Sequence, residues 1–526
     1  MLLQVKLKGA KKGWGSRLAI AVLAAILKGM IAGKWGMTAP MGLKVNPGIV
    51  IRDQCQNPSV AKQRAFMDLS RDHPGPHFLL KGDVSKAHRR VRVCRRDWGL
   101  QACRLLDDDT VWLNTVGTFG IGSAGYYWSR ALAVIARVLL CLLGKADVWQ
   151  LIFVDDFSWH LYGPDFEYYM WFIIFFYTVL RVPFAWHKFE GGQEYDWVGF
   201  WINIKARSTG LSQKRKRWLI QWIDQTSQDK AVLVRNVSEV LGRLQFASQA
   251  IPILRPFLGF LYAWVASLPL STTAPLPISL RLVLGFIKFL LERGNALSPV
   301  LPRLEAGRLL FRADAKAEGN DVALGGWLCH PEGPSKSLWY AVRITPSNAP
   351  WAYWAGEAYK TIASLELFAT LICIMVFTTR VGAEGVIEIS GETDNRGNSF
   401  VVDKLMSTKF PLNVVLMELA FQLHERGLSL DLKWIPRDDN VEADSLSNFC
   451  FDDFLPENRI SVDIGNLGFA ILPTLMAEGE QMYKDLSERK LANRRAIHAS
   501  RANAPGDFGR KRKRPPGSKL KNAQPW

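Results

Sequence analysis

Two aspartates stand side by side inside an otherwise apolar run, L-I-F-V-D-D-F-S-W-H-L at 151–161. The apolar residues on either side of Asp155 and Asp156 read as two strands joined by a tight turn, which puts both carboxylates at a hairpin tip. Adjacent acids repel each other, and apolar surroundings raise the cost of ionising them, so the pair makes chemical sense once a divalent cation neutralises it. A D-D pair taken alone is usually a solvated turn.

A second acid has matching surroundings. In H-F-L-L-K-G-D-V-S-K-A-H-R-R-V, Asp83 closes a strand-like run and precedes a basic cluster. Asp83 and Asp155 are placed to share two Mg²⁺ ions, with Mn²⁺ as a substitute. Such a pair activates a primer 3′-hydroxyl and stabilises a pyrophosphate leaving group.

Composition allows this. With 526 residues, 48% hydrophobic and 22% charged, the chain is too apolar for disorder and long enough for several cores. Its net charge of +18 is concentrated beyond residue 488, which suits an anionic partner such as nucleic acid. Seven scattered cysteines without a C-x-x-C pair argue for reduced thiols and against a disulfide or zinc scaffold.

Residues 46–205 mix apolar runs with Gly-bearing turns and read as an α+β domain. Residues 206–307 carry apolar residues at helical spacing (Val237, Val240, Leu241, Leu244), the basic run Lys214 to Arg217, and a Pro/Ser-rich linker. Residues 308–450 return to alternating strands and helices, and 451–526 form an extension whose polar, basic end, with R-K-R-K-R-P-P at 510–516, reads as disordered. Residues 1–45 are atypical: basic residues up to Arg17 precede the apolar run Leu18–Leu27, the outline of a signal peptide or short anchor, yet too short to span a bilayer. Tyr168–Leu180 is also short of a span and reads as a core helix.

In order along the chain, these motifs resemble the reverse transcriptase family. Asp83 matches the A motif, and Asp155 and Asp156 the F-V-D-D form of the C motif. Between them T-F-G-I-G-S-A-G-Y-Y-W-S-R at 118–130 is similar to the B motif, whose Gly120 and Ser123 would line template and incoming nucleotide. Phe119 replaces a polar residue common in retroviral members, and His88 stands where an aromatic residue usually rejects a ribose 2′-hydroxyl. Lys188 in F-A-W-H-K-F matches a lysine that protonates leaving pyrophosphate, although a surface lysine would look the same. Trp197, Val198, Gly199 and Phe200 match the primer-grip turn. The wording around D-V-S-K-A-H-R-R is similar to LTR-like or DIRS/tyrosine-recombinase retrotransposons. Few residues precede Asp83 for the fingers, which leaves a truncated copy or a piece of a longer polyprotein open.

A second set of acids follows. Asp314 lies on a strand (R-L-L-F-R-A-D-A), Glu366 inside an apolar helix (S-L-E-L-F-A-T-L), Asp394 just past the strand G-V-I-E-I-S, and Asp444 one helical turn after Asn440. A carboxylate inside an apolar helix is costly without a metal or cation, which favours Glu366 over nearby Glu357. This order resembles ribonuclease H, and the resemblance implies that the four acids hold two Mg²⁺ ions and cleave RNA in an RNA–DNA hybrid. The histidine loop of cellular ribonucleases H is missing: Arg437 and Asp438 stand there.

The expectation is therefore an α+β multidomain chain: reverse-transcriptase palm and fingers, helical thumb and connection, then a ribonuclease H-like mixed α/β domain. Its partners would be an RNA template, a DNA primer, RNA–DNA hybrid and dNTPs, in the nucleus or cytoplasm, without stable membrane association. Two alternatives stand beside it: a hybrid-specific nuclease with an inactive polymerase half, and a non-catalytic nucleic-acid-binding relic of a retrotransposon.

Overall fold

The computed structural model describes residues 2–502, apart from 23, 28–34, 39–44, 51, 52, 54, 55, 74, 105–108, 119, 145, 146, 295, 305–308, 320 and 380–384. Phe119 and the basic run at 510–516 lie outside the described residues. The chain is a mixed α/β protein of two compact units. Unit 1 comprises Met1–Ile220, Phe246–Pro252 and Leu290–Pro302; unit 2 comprises Gln221–Gln245, Ile253–Phe289 and Arg303–Trp526.

In unit 1 the helix α1 (Val60–Leu69) leads to β1 (His77–Asp83), and α2 (Gly122–Leu143) precedes the hairpin β2 (Val148–Phe153) and β3 (Asp156–Tyr162). Next come α3 (Phe166–Val179) and the short strand β4 (Glu190–Gly192). These strands form an antiparallel sheet in the order β4-β1-β3-β2. Period-two alternation explains its core: Phe157, Trp159 and Leu161 of β3 point to one face and are fully buried. They meet Leu132 and Leu139 of α2 and Ile173 and Tyr177 of α3. Burying each such side chain stabilises the fold by about 1.5–3 kcal/mol.

α3 is the helix expected over 168–180, but only part of it is core. Tyr168, Trp171 and Phe175 are 66%, 64% and 64% exposed, because an all-apolar helix on one side of a sheet can bury only one face.

A second antiparallel sheet runs β5 (Glu194–Trp197), β6 (Phe200–Asn203), β7 (Ser208–Leu211) and β8 (Leu297–Pro299). The start of the chain is also woven into unit 1. Leu2–Lys6 pairs with Thr110–Asn114, and Ile20–Val22 pairs with Ala102–Arg104. Within the apolar run Leu18–Leu27, Ile20–Val22 is extended, as the β-branched Ile20 and Val22 favour once a neighbouring strand completes their hydrogen bonds.

Unit 2 takes helices from the middle of the chain: α4 (Gln213–Gln228), α5 (Val234–Ala250), α6 (Leu258–Val265) and α7 (Ile278–Arg293), of which α4, α5 and α7 are shared with unit 1. The stretch containing α7, which the sequence suggests is a connector, is packed: Leu280, Val283, Leu284, Ile287 and Leu291 recur at helical spacing and are fully buried.

The remainder of unit 2 has β9 (Leu310–Glu318), β10 (Asp321–Leu328), β11 (Trp339–Arg343), α8 (Ile362–Phe377), β12 (Val386–Thr393), α9 (Arg396–Lys404), α10 (Leu412–Arg426), β13 (Leu428–Trp434), α11 (Val441–Ser447) and α12 (Leu472–Ala502). Its six-stranded sheet runs β13-β12-β9-β10-β11, with the first three strands parallel and the last two antiparallel, and the short strand Arg303–Leu304 also pairs parallel with β12.

α12 extends to Ala502, so part of the polar, basic end of the 451–526 extension, which reads as disordered from composition, is helical. Its start is fixed from α10: Glu418, fully buried, accepts hydrogen bonds from the Ala470, Ile471 and Leu472 amides at 3.1, 2.7 and 2.9 Å. A carboxylate there satisfies orphan amides and faces the positive end of the helix dipole.

Two helical stretches, α2 and Ala358–Phe377, are long and apolar enough to cross a membrane by length and composition alone; the second is mostly core.

Candidate active sites

The first site is built on the β2–β3 hairpin. Phe153 pairs with Asp156, leaving Val154 and Asp155 as a two-residue turn. Val154 has φ 57°, an unfavourable conformation for a β-branched residue. The strain is held in place from α2, whose Trp128 Nε1 donates to the Val154 carbonyl at 2.8 Å. Asp83, the last residue of β1, lies directly opposite Asp156 in the ladder. The Val84 amide also donates to the Asp155 carbonyl at 3.0 Å. Register and turn together bring the three expected acids to one end of the sheet.

Electrostatics match that crowding. Burial, then Asp155 and Asp83, pushes the Asp156 carboxyl up to about 6. Asp155 is raised for the same reasons, burial first and Asp83 second. Lys188 is not simply a surface lysine: its Nζ lies 2.6 Å from Asp83 Oδ2, and that hydrogen bond holds its pKa above the usual lysine value. The loop carrying it is tied down, since the Ala185 amide donates to the Asp83 carbonyl at 2.8 Å.

The remaining candidates surround these acids less tightly. His88 sits in the 3₁₀ turn Ala87–Arg90, close enough to Gly125 of α2 that a Cβ there would lie 3.4 Å from its Cε1. Gly120 has φ 85° and precedes α2, where Ser123 is half-buried in the first turn. Asn46 clamps this entry: its Nδ2 donates to the Gly120 carbonyl and its Oδ1 accepts from the Gly122 amide, both at 2.9 Å.

Trp197 and Phe200 pair across a two-residue turn of Val198 and Gly199, with φ 48° and 87°. Positive φ at both central positions is the type I′ requirement. Arg215, from the basic run, donates to the Gly199 carbonyl and lies 5.2 Å over the Phe246 ring, which itself stacks on Phe200 at 4.1 Å.

The second site is in unit 2. Ligand oxygens of Asp314 on β9, Glu366 on α8 and Asp394 just beyond β12 all lie within 4.8 Å of one another. Burial, opposed by a Ser447 hydrogen bond and reinforced by Asp394 and Asp444, pushes the Asp314 carboxyl up to about 6. Glu366 is pushed well above the carboxylate range by burial, then by Asp394 and Asp314. Glu357 is exposed and takes no part in this cluster.

The cluster fits a hard divalent cation. Its donors are all carboxylate oxygens, and Asp394 Oδ1 is buried with no hydrogen-bond partner among the described residues.

Asp444 is near but differently engaged. Its Oδ1 accepts from Arg437 Nη2 at 2.8 Å and its Oδ2 from Asn448 Nδ2 at 3.1 Å. α11 reaches this position because Gly325 on β10 has no side chain: a Cβ there would come within 2.6 Å of Leu446 Cβ and the Ser447 amide nitrogen. That approach lets Ser447 Oγ donate to Asp314 Oδ2 at 2.5 Å.

Trp128, Asn46, Ser447, Arg437 and Gly325 were not singled out as site residues from sequence. The signal was weak: a tryptophan five residues beyond Ser123, and a serine three residues beyond Asp444. Arg437 was noted only as standing where a histidine was sought.

No family model and no curated protein matches the chain. Among solved structures it is similar to a foamy viral protease-reverse transcriptase in complex with double-stranded DNA, at 12% identity and a TM-score of 0.41, covering 78% of this chain and 64% of that one. A foamy viral protease-reverse transcriptase in complex with RNA/DNA hybrid aligns at 11% identity and a TM-score of 0.40, covering 77% and 49%. A further complex of that protein with double-stranded DNA gives 13% identity and 0.40, covering 78% and 77%. The chain thus spans just under two thirds of the first of these.

Proposed function

We propose that the chain is an RNA-directed DNA polymerase with a second centre that hydrolyses RNA in RNA–DNA hybrids. The observation that carries this is the Asp83–Asp156 register, which sets three acids and a protonated lysine at one sheet end. In this reading residues 46–205 are fingers and palm, 206–307 thumb and connection, and 308–450 a ribonuclease H-like domain.

Mg²⁺ or Mn²⁺, two ions per site, supplies charge neutralisation and nucleophile activation when bound. Asp83, Asp155 and Asp156 would hold it in unit 1, and Asp314, Glu366, Asp394 and Asp444 in unit 2. The chain's own groups do the rest. Lys188, kept charged by Asp83, is a proton source for departing pyrophosphate. The Gly120–Ser123 entry to α2, together with His88, lines template and incoming dNTP. The Trp197–Phe200 turn, braced by Arg215, positions the primer end, and alignment of this kind carries much of such catalysis. In unit 2, Ser447 fixes the orientation of Asp314.

One observation favours a nuclease-only reading. Among the described residues, only Asp314, Glu366 and Asp394 bring three ligand oxygens within 4.8 Å of one another; Asp83, Asp155 and Asp156 do not converge that closely. Incubation with Mg²⁺ on a labelled DNA primer annealed to a labelled RNA template separates the two. Primer extension with template shortening is expected; shortening alone supports the nuclease-only reading, and neither activity sinks both.

A further inference from the structure

Leading away from Asp394, aromatic rings and cations alternate along an exposed face of unit 2. Trp434, at the end of β13, donates its indole N–H to the Asp394 carbonyl at 2.9 Å. The Arg396 guanidinium lies 5.9 Å from the Trp434 ring centre and 6.0 Å from that of Phe400, and Lys404 Nζ lies 5.7 Å from Phe400. Positions 396, 400 and 404 follow at successive turns of α9, so they share one helix face.

This face is not ordinary solvated surface. Phe400 and Trp434 are 52% and 47% exposed, although burying such rings is what usually stabilises a fold. Neither Arg396 nor Lys404 is in an ion pair among the described residues, exposed Asp403 being the only acid on α9, and the Asp394 cluster just before Arg396 belongs to a site already read as acting on phosphodiesters. Flat rings interleaved with unpaired cations complement a chain that offers both π-faces and regularly spaced negative charge. An acidic peptide would engage the cations and leave the rings unused.

We infer that Trp434, Arg396, Phe400 and Lys404 form a platform for a single nucleic-acid strand, with bases stacking on the two rings and phosphates on the two cations, beside the Asp394 centre. The inference rests on the hydrolytic reading of that centre for the direction of the strand, and on the ladder itself for the ligand class.

The test uses the full chain in EDTA, so that binding is read without turnover. Anisotropy of a labelled RNA–DNA hybrid with a single-stranded overhang is measured for wild type, Phe400→Ala, Phe400→Trp and the double variant Arg396→Gln/Lys404→Gln. Phe400→Ala should weaken binding about 5- to 50-fold and Phe400→Trp should restore it. The double variant should reduce the salt slope by about 1–2. In parallel, a 5-iodouracil-substituted strand is photo-crosslinked and the modified residues identified, with adducts expected at Phe400 or Trp434. Unchanged affinity and slope, with crosslinks only elsewhere, overturn the platform. A chain that crosslinks at Phe400 yet never cleaves hybrid in Mg²⁺ retains the platform and loses the hydrolytic reading instead.

Discussion

Arg437 Nη2 lies 2.8 Å from Asp444 Oδ1, so the fourth acid of the unit 2 site is paired with a guanidinium while the other three converge on one another. The same cation acts at longer range on Asp314 and Asp394. Arg437 would thus compete with a divalent cation for Asp444 under the proposed reading. Substituting Arg437→Gln should tighten Mg²⁺ binding at this site by about 2- to 10-fold in calorimetric titration. Unchanged or weaker binding would show that the pair does not restrain Asp444.

The raised carboxyls set a pH dependence. Burial pushes the Asp156 and Asp314 carboxyls up to about 6 in the folded chain, above the ordinary aspartate value of about 3.9. A raised carboxyl stabilises the fold fully below its unfolded pKa, and that contribution is lost as pH rises through the folded value. In EDTA the thermal midpoint should therefore fall between pH 4 and pH 7, with Asp314, 5% exposed, contributing about 3 kcal/mol. Mg²⁺ should restore stability at pH 7 and add little at pH 5. Asp314→Asn should reduce both responses without abolishing them, since Asp156 and Glu366 remain raised; a wild-type midpoint insensitive to pH and Mg²⁺ would contradict the assignment.

Gly325 makes room for α11. Gly325→Ala should push that helix outward, separate Ser447 from Asp314, and reduce hybrid cleavage at least tenfold while sparing primer extension. Equal cleavage by wild type and variant would mean that α11 does not position the acids.

Glu418 receives three amide hydrogen bonds at the start of α12 while fully buried. Glu418→Ala leaves those donors unsatisfied and should destabilise unit 2 by about 3 kcal/mol. Hydrogen exchange should show it as lost protection at Ile471 and Leu472; protection equal to wild type would rule out the cap.

Much of both acid clusters was legible because each acid sits in a local pattern that only one element type satisfies. Asp155 and Asp156 interrupt an apolar hairpin, Glu366 interrupts an apolar helix, and Asp394 follows a strand. What stayed hidden depends on pairings between distant segments. Nothing near Asn46 in sequence announces its bonds to the α2 entry, nor does Trp434 reveal that it shares a face with Phe400. The exposed stripe of α3 was illegible for another reason: a uniformly apolar segment carries no periodicity to say which face is buried.

The most direct measurement places wild type, Asp155→Asn and Asp394→Asn side by side on one labelled primer–template in Mg²⁺, with extension and template cleavage read on the same gel. Two independent centres predict that Asp155→Asn loses extension alone and Asp394→Asn loses cleavage alone, each by at least a hundredfold. Loss of both activities in either well-folded variant, or retention of extension by Asp155→Asn, would contradict the account.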